Sequence, residues 1–207
     1  MIKLKSLLSE LTGRQKELKK DYLFKQTKLH SSNKIPSFEE IWTELKDSDG
    51  FRYDMKARMQ DDDAPWSEEI ENDIRQYNLE RYDDIVYSYK LLDGKFCWRE
   101  IILPQSVDPR TLNQLGIYWA VEEHAAESHW GKHTGSKSFK CTYEALIELK
   151  NVDWTGTMFS RMDITGGDDE KEIRFLKNAP LLVRKVKVYD NSKETSIEYF
   201  INNKRRA

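Results

Sequence analysis

Phe96-Cys97-Trp98-Arg99-Glu100-Ile101-Ile102-Leu103, closed by Pro104, is the stretch on which the fold turns. Aromatic and β-branched residues dominate it, and such residues suit a pleated, half-buried surface. Asp93-Gly94 stands just before it, a hairpin-type turn signal. Upstream of that turn, Ile85-Val86-Tyr87-Ser88-Tyr89 is also β-prone. The pair predicts two strands joined by a turn, with the chain changing character at Ile85.

Downstream, strand-like runs recur. Gly116-Ile117-Tyr118-Trp119-Ala120 is a short one, and 139–149, 172–176 and 181–189 follow, with 197–201 as a last strand. Asp108-Pro109 starts a short helix or turn. Residues 122–130 read as a helix with Ala125, Ala126 and Trp130 near one side. Thr165-Gly166-Gly167-Asp168-Asp169 reads as an exposed turn.

Upstream, the pattern is helical. Leu4, Leu7, Leu8 and Leu11 fall at helical spacing, and Gly13 ends or bends that segment. Residues 30–36 (HSSNKIP) form a polar linker. Ser37-Phe38-Glu39-Glu40 is a capping box that opens a helix with Ile41, Trp42 and Leu45 on its apolar side. Ser67-Glu68-Glu69-Ile70 opens another, running through Ile74, Tyr77 and Leu79 toward Tyr82. The expected organisation is α+β: an amphipathic segment and linker (1–34), a helical region (35–84) and a strand-rich core (85–203).

Composition bounds the function. Aromatics make up 12% of the 207 residues, too many for a disordered chain. A net charge of -2 gives no global basic field of the kind a dedicated nucleic-acid binder carries. The local basic runs Arg184-Lys185-Val186-Lys187 and Lys204-Arg205-Arg206 would suit a nucleic-acid acceptor or an ordinary surface. Two cysteines, Cys97 and Cys141, are too few for a disulfide framework and read as reduced core thiols, which fits a cytoplasmic setting. No run approaches the ~20 apolar residues that span a bilayer, so no membrane partner is expected. His124, His129 and His133 lie near Glu127, but no HExxH pattern is present, and no metal site is assigned. Asp61-Asp62-Asp63 reads as a loop, and Asp168-Asp169-Glu170 as a solvated turn.

Three places can carry chemistry. Arg99 sits in a strand between aromatic and apolar residues; a guanidinium pointing inward must find a carboxylate or phosphate, and one pointing outward is simply solvated. The aromatic pair Tyr118-Trp119, followed by an alanine-containing helix, can wall a planar ring or fill a core. Glu170 and Glu172 are two apart and on a strand project to one side, where two carboxylates can divide the roles of charged stabiliser and proton acceptor. Charged and apolar residues alternating on an edge strand give the same pattern without function.

Taken together, these segments resemble the ADP-ribosyltransferase superfamily, over roughly residues 95–190. Gly116-Ile117-Tyr118-Trp119-Ala120 is similar to the Gly-Ile-Tyr-Phe-Ala signature of the poly(ADP-ribose) polymerase branch. Glu170-Lys171-Glu172 resembles the Glu-x-Glu motif of the arginine-type toxin and phage branch, and Trp98-Arg99 stands where that branch has its strand arginine. The set is a hybrid: the toxin branch has Ser-Thr-Ser where this chain has Tyr118-Trp119-Ala120, and the polymerase branch has His where this chain has Arg99.

The resemblance implies a split mixed or antiparallel β-sheet core and NAD as substrate. Glu172 would be the catalytic carboxylate and Glu170 the residue that orients or deprotonates the acceptor. Arg99 would hold the NAD phosphates or ribose, Tyr118 would stack on nicotinamide, and Trp119 would shape the same wall. The implied function is a mono-ADP-ribosyltransferase acting on a protein or nucleic acid, a phage or bacterial effector in the host cytoplasm. Antitoxin or virion packaging partners would be compatible with it. Residues 1–10 (MIKLKSLLSE) also look like the capsid-targeting leaders of T-even-type phages, which would put the protein in a virion; an amphipathic helix is the plain alternative. The rival to the enzyme is a non-catalytic interaction or virion-associated protein that uses the same fold.

Overall fold

The structure is a computed structural model, described here for residues 31–47, 52, 67–128, 138–162, 171–190, 193 and 195–207. Four helices and six strands occupy these residues. The helices are α1 (Phe38–Lys46), α2 (Glu68–Lys90), α3 (Glu123–Ser128) and α4 (Trp154–Met162). The strands are β1 (Phe96–Pro104), β2 (Tyr118–Ala120), β3 (Ser138–Leu146), β4 (Glu172–Arg174), β5 (Pro180–Asp190) and β6 (Thr195–Arg206). The class is α+β. The expected amphipathic stretch at 1–29, the acidic run at 61–63 and the turn at 165–169 lie outside the described residues.

Local chemistry starts the first two helices as their sequences predict. The Ser37 hydroxyl accepts from the Glu40 N–H, and the Glu40 carboxylate accepts from the Ser37 N–H at 2.6 Å. The Ser67 hydroxyl accepts from the Ile70 N–H at 3.2 Å. One expectation fails. Residues 85–89 are not a strand, because α2 continues through them to Lys90. The residues it buries, Ile74, Asn78, Tyr82, Val86 and Tyr89, recur every three or four positions. Burying that stripe outweighs the modest β preference of Ile85, Val86 and Tyr87. Asp93-Gly94 does turn the chain, with Gly94 at φ +71°, but it joins a helix to a strand.

The six strands form one sheet in the order β4-β2-β1-β3-β5-β6, and every pair of neighbours is antiparallel. From β1 to β6 the ladders are long; β1 and β3 stay in register from Phe96↔Leu146 to Pro104↔Ser138. By contrast, β2 joins β1 at the single registered pair Trp98↔Ala120. A long ladder and a short β2–β4 part thus meet at one point. One face of the long ladder is apolar, with Cys97, Ala145 and Val183 in a row and all fully buried. The other carries Glu100, Glu144, Lys140 and Lys185, tied in ion pairs Lys140–Glu100 (2.9 Å), Lys185–Glu144 (3.5 Å) and Lys185–Glu198 (2.9 Å).

The basic C-terminal run is built into this frame. Arg206 pairs with Pro180, and its N–H donates to the Asn113 carbonyl; Arg205 donates to the Asn113 side chain at 2.8 Å and to the Arg110 carbonyl at 2.6 Å. What reads as a basic tail is therefore the end of β6, with Ala207 buried beyond it.

Helix α4, to which the sequence reading assigns no element, closes the β4 edge. Strand edges expose unpaired backbone groups and need cover. The Asp153 N–H donates to the Arg174 carbonyl (2.7 Å), the Arg174 N–H donates to Thr157 Oγ1 (2.9 Å), and the Leu176 N–H donates to the Asn151 carbonyl (2.9 Å). Trp154, Met158, Phe159 and Met162 bury the apolar side of α4.

Candidate functional site

Strand alternation decides which side chains share a surface. Tyr118 pairs with Arg174, Trp119 with Ile173, and Ala120 with Glu172. Directly opposed residues point to one face and the next pair to the other. Tyr118, Arg174, Ala120 and Glu172 therefore share a face, and through Ala120 that face continues to Trp98. Exposure agrees: Tyr118 is 39% exposed, whereas Trp119 is 2% and Ile173 0% exposed.

Trp119 is thus a correction. It was expected to shape the same wall as Tyr118, but it points the opposite way, into the core. Its Nε1 donates to the Gly116 carbonyl at 2.9 Å, and its ring meets Phe175 edge-on at 6.2 Å. A buried indole whose one polar atom is satisfied is a core residue.

Arg99 lies at the seam between β1 and β2. Its guanidinium donates to the Tyr118 carbonyl, and it packs so closely on Gly116 that a Cβ there would sit 2.9 Å from Nη2. Gly116 has φ +83°, so this position suits glycine twice over. Arg99 Nε is buried without a hydrogen-bond partner among the described residues. Burial lowers the guanidinium pKa, while the charges of Glu172 and Tyr118 act against that shift. Glu172 is thus near enough to act on Arg99 electrostatically, two strands away.

Glu172 opens β4 and is half-buried. Lys171 before it has φ +34°, accepts at its carbonyl oxygen from the Val121 N–H (3.0 Å) and pairs its ammonium with Glu122. The structure therefore brings Arg99, Tyr118 and Glu172 onto three adjacent strands, with Tyr118 and Glu172 on one face; Arg99, next to Trp98 on β1, falls by the same alternation on the opposite face, in register with the buried Tyr143. Glu170 lies outside the described residues, as do His129 and His133. His124 sits 3.2 Å from Glu122, and among the described residues no group of three His, Cys, Asp or Glu side chains gathers as metal ligands would.

Two residues missed by the sequence reading support this face. Arg174 lies with its guanidinium carbon 5.2 Å from the Tyr118 ring centroid, and its Nε is 3.2 Å from Asp153 Oδ2. Asp153 is 1% exposed and also accepts from Ser31 Oγ, Ser32 N–H and Gly156 N–H. The available signal was Arg174 itself, two residues after Glu172 and so on the same face. Tyr89, read as part of a strand, is the other: its hydroxyl donates to the Glu172 carbonyl at 2.7 Å.

Comparisons with protein-family models, with curated proteins and with solved structures find no match for this chain.

Proposed function

We propose that the chain is an NAD-dependent mono-ADP-ribosyltransferase that modifies a macromolecular acceptor, protein or nucleic acid, as a phage or bacterial effector. The observation that carries this reading is the strand order β4-β2-β1, in which Glu172 and Tyr118, from distant parts of the chain, share one face and the Arg99 guanidinium on the next strand reaches the Tyr118 carbonyl. A sheet whose short β2–β4 part meets the long ladder at one pair is also compatible with the split core of that superfamily.

The chemistry follows from charge. The bond between nicotinamide and ribose breaks through a cationic, oxocarbenium-like state, and a fixed carboxylate nearby stabilises that charge. Glu172 takes this role. The exposed Tyr118 ring, with Arg174 on one side, offers its other side to nicotinamide. Arg99 supplies a cation for phosphate or ribose. The acceptor nucleophile bonds to the ribose carbon, nicotinamide leaves with the bonding electron pair, and Glu170 takes the acceptor's proton.

One observation favours the rival, a non-catalytic interaction or virion-associated protein. Arg99 and Tyr118 both have partners within the protein, in the Tyr118 carbonyl and in Arg174. Incubation with NAD labelled in its ADP-ribose part, with and without host lysate, separates the two readings. The transferase releases nicotinamide and labels a product that either protease or nuclease destroys, and Glu172→Gln abolishes both while its circular dichroism stays unchanged. No nicotinamide release by wild type, or full activity in Glu172→Gln, would falsify the transferase assignment.

A further inference from the structure

Tyr89 lies in the last turn of α2 and is 5% exposed. Its hydroxyl donates 2.7 Å to the backbone carbonyl of Glu172. Burial pushes the phenol pKa well up; the Glu172 charge adds to the shift and Arg161 opposes it. The hydroxyl therefore keeps its proton and remains a donor.

Strand β4 is three residues long and lies at the sheet's edge. At its start the inner side is held by the Val121 N–H on the Lys171 carbonyl and by the Ala120↔Glu172 pairing. Further along, the outer side is held through Arg174 by Asp153 and Thr157. At Glu172 itself the outward carbonyl meets Tyr89.

We infer that Tyr89 is a positioning residue for Glu172: its hydroxyl latches the backbone of the first residue of β4 to α2 and so sets where the Glu172 carboxylate stands relative to Tyr118 and Arg99. The inference rests on the transferase reading. A carboxylate that stabilises a developing charge loses effect steeply with misplacement, by roughly 10²-fold for about 1 Å.

The test is Tyr89→Phe in the full chain, with Tyr82→Phe as its control. Tyr82 lies on the same helix, is equally buried, and donates its hydroxyl to the Pro36 carbonyl, away from β4. Tyr89→Phe is expected to lower kcat for NAD cleavage about 10- to 100-fold with KM for NAD changed by less than about twofold. Tyr82→Phe is expected to lower the melting temperature similarly and leave kcat unchanged. An unchanged kcat in Tyr89→Phe, or an equal fall in Tyr82→Phe, overturns the latch while leaving the transferase reading intact. A wild type that cleaves no NAD removes the reading and the latch with it. If Tyr89→Phe melts below the assay temperature, hydrogen exchange in the cold decides: residues 171–176 should exchange faster relative to β5, and equal protection overturns the inference.

Discussion

The Arg174 guanidinium carbon lies 5.2 Å from the centroid of the Tyr118 ring, and the same side chain reaches 3.2 Å to the buried Asp153. One arginine thus joins the exposed aromatic of the candidate site to the start of α4. Arg174→Ala should lower stability by about 3–5 kcal/mol, because it leaves Asp153 charged and buried without its cation. Asp153→Asn should cost a similar amount, and the double variant should cost less than the sum, since both remove one interaction. Urea unfolding of the four proteins measures this; additive losses would show that the two residues act separately.

Gly116→Ala should cost more than Gly94→Ala. Both glycines have positive φ, which costs a residue with a Cβ about 1–2 kcal/mol. A Cβ at Gly94 meets nothing within 4 Å, whereas one at Gly116 meets Arg99 Nη2 at 2.9 Å. The excess should vanish in an Arg99→Ala background. Thermal melts of the single and double variants check it, and an excess that survives removal of Arg99 points to another clash.

The capping box makes stability depend on pH at the acid side. The Ser37 backbone N–H, then its hydroxyl, hold the Glu40 carboxyl below the ordinary glutamate range. A depressed folded-state pKa contributes stability that is present above the unfolded value and lost as pH falls through the folded value. The melting temperature of wild type should therefore exceed that of Glu40→Gln near neutrality, and the gap should close on acidification through the carboxylate range. A gap that stays constant with pH would assign the loss to something other than ionisation.

Neither cysteine should react in the folded protein. Burial pushes the Cys97 thiol well up, and burial with the nearby Glu100 charge pushes Cys141 up to about 12. The thiolate is the reactive form and is scarce under these conditions. A thiol-specific reagent at neutral pH should label neither residue in the native state and both after denaturation. Fast labelling of the native protein would mean that the sheet opens at β1 or β3.

Much of the fold was legible in short stretches. Ser37 and Glu40, three apart, start α1 through bonds within one turn, and Gly94 turns the chain just before β1. The alternation of β1, β3 and β5 follows from burying one face of each strand. Residues 85–89 misled because their β-branched character is local, while the stripe from Ile74 to Tyr89 that makes them helical is defined by what it packs against. Helix α4 was illegible for a related reason. Thr155, Gly156 and Thr157 are weak helix formers, and the helix stands on Asp153 and on buried Trp154, Met158 and Phe159.

The candidate site divides along the same line. Sequence alone determined which residue types were present, Arg99 on a strand, Tyr118-Trp119 on another, Glu172 on a third, because strand propensity and side-chain period are set by near neighbours. Only the tertiary structure decided that those strands lie side by side as β1, β2 and β4, that Tyr118 faces outward while Trp119 is core, and that Tyr89 and Arg174 hold the face in place. These depend on which apolar faces are buried together and which strand edges find cover, and both are properties of the packed whole.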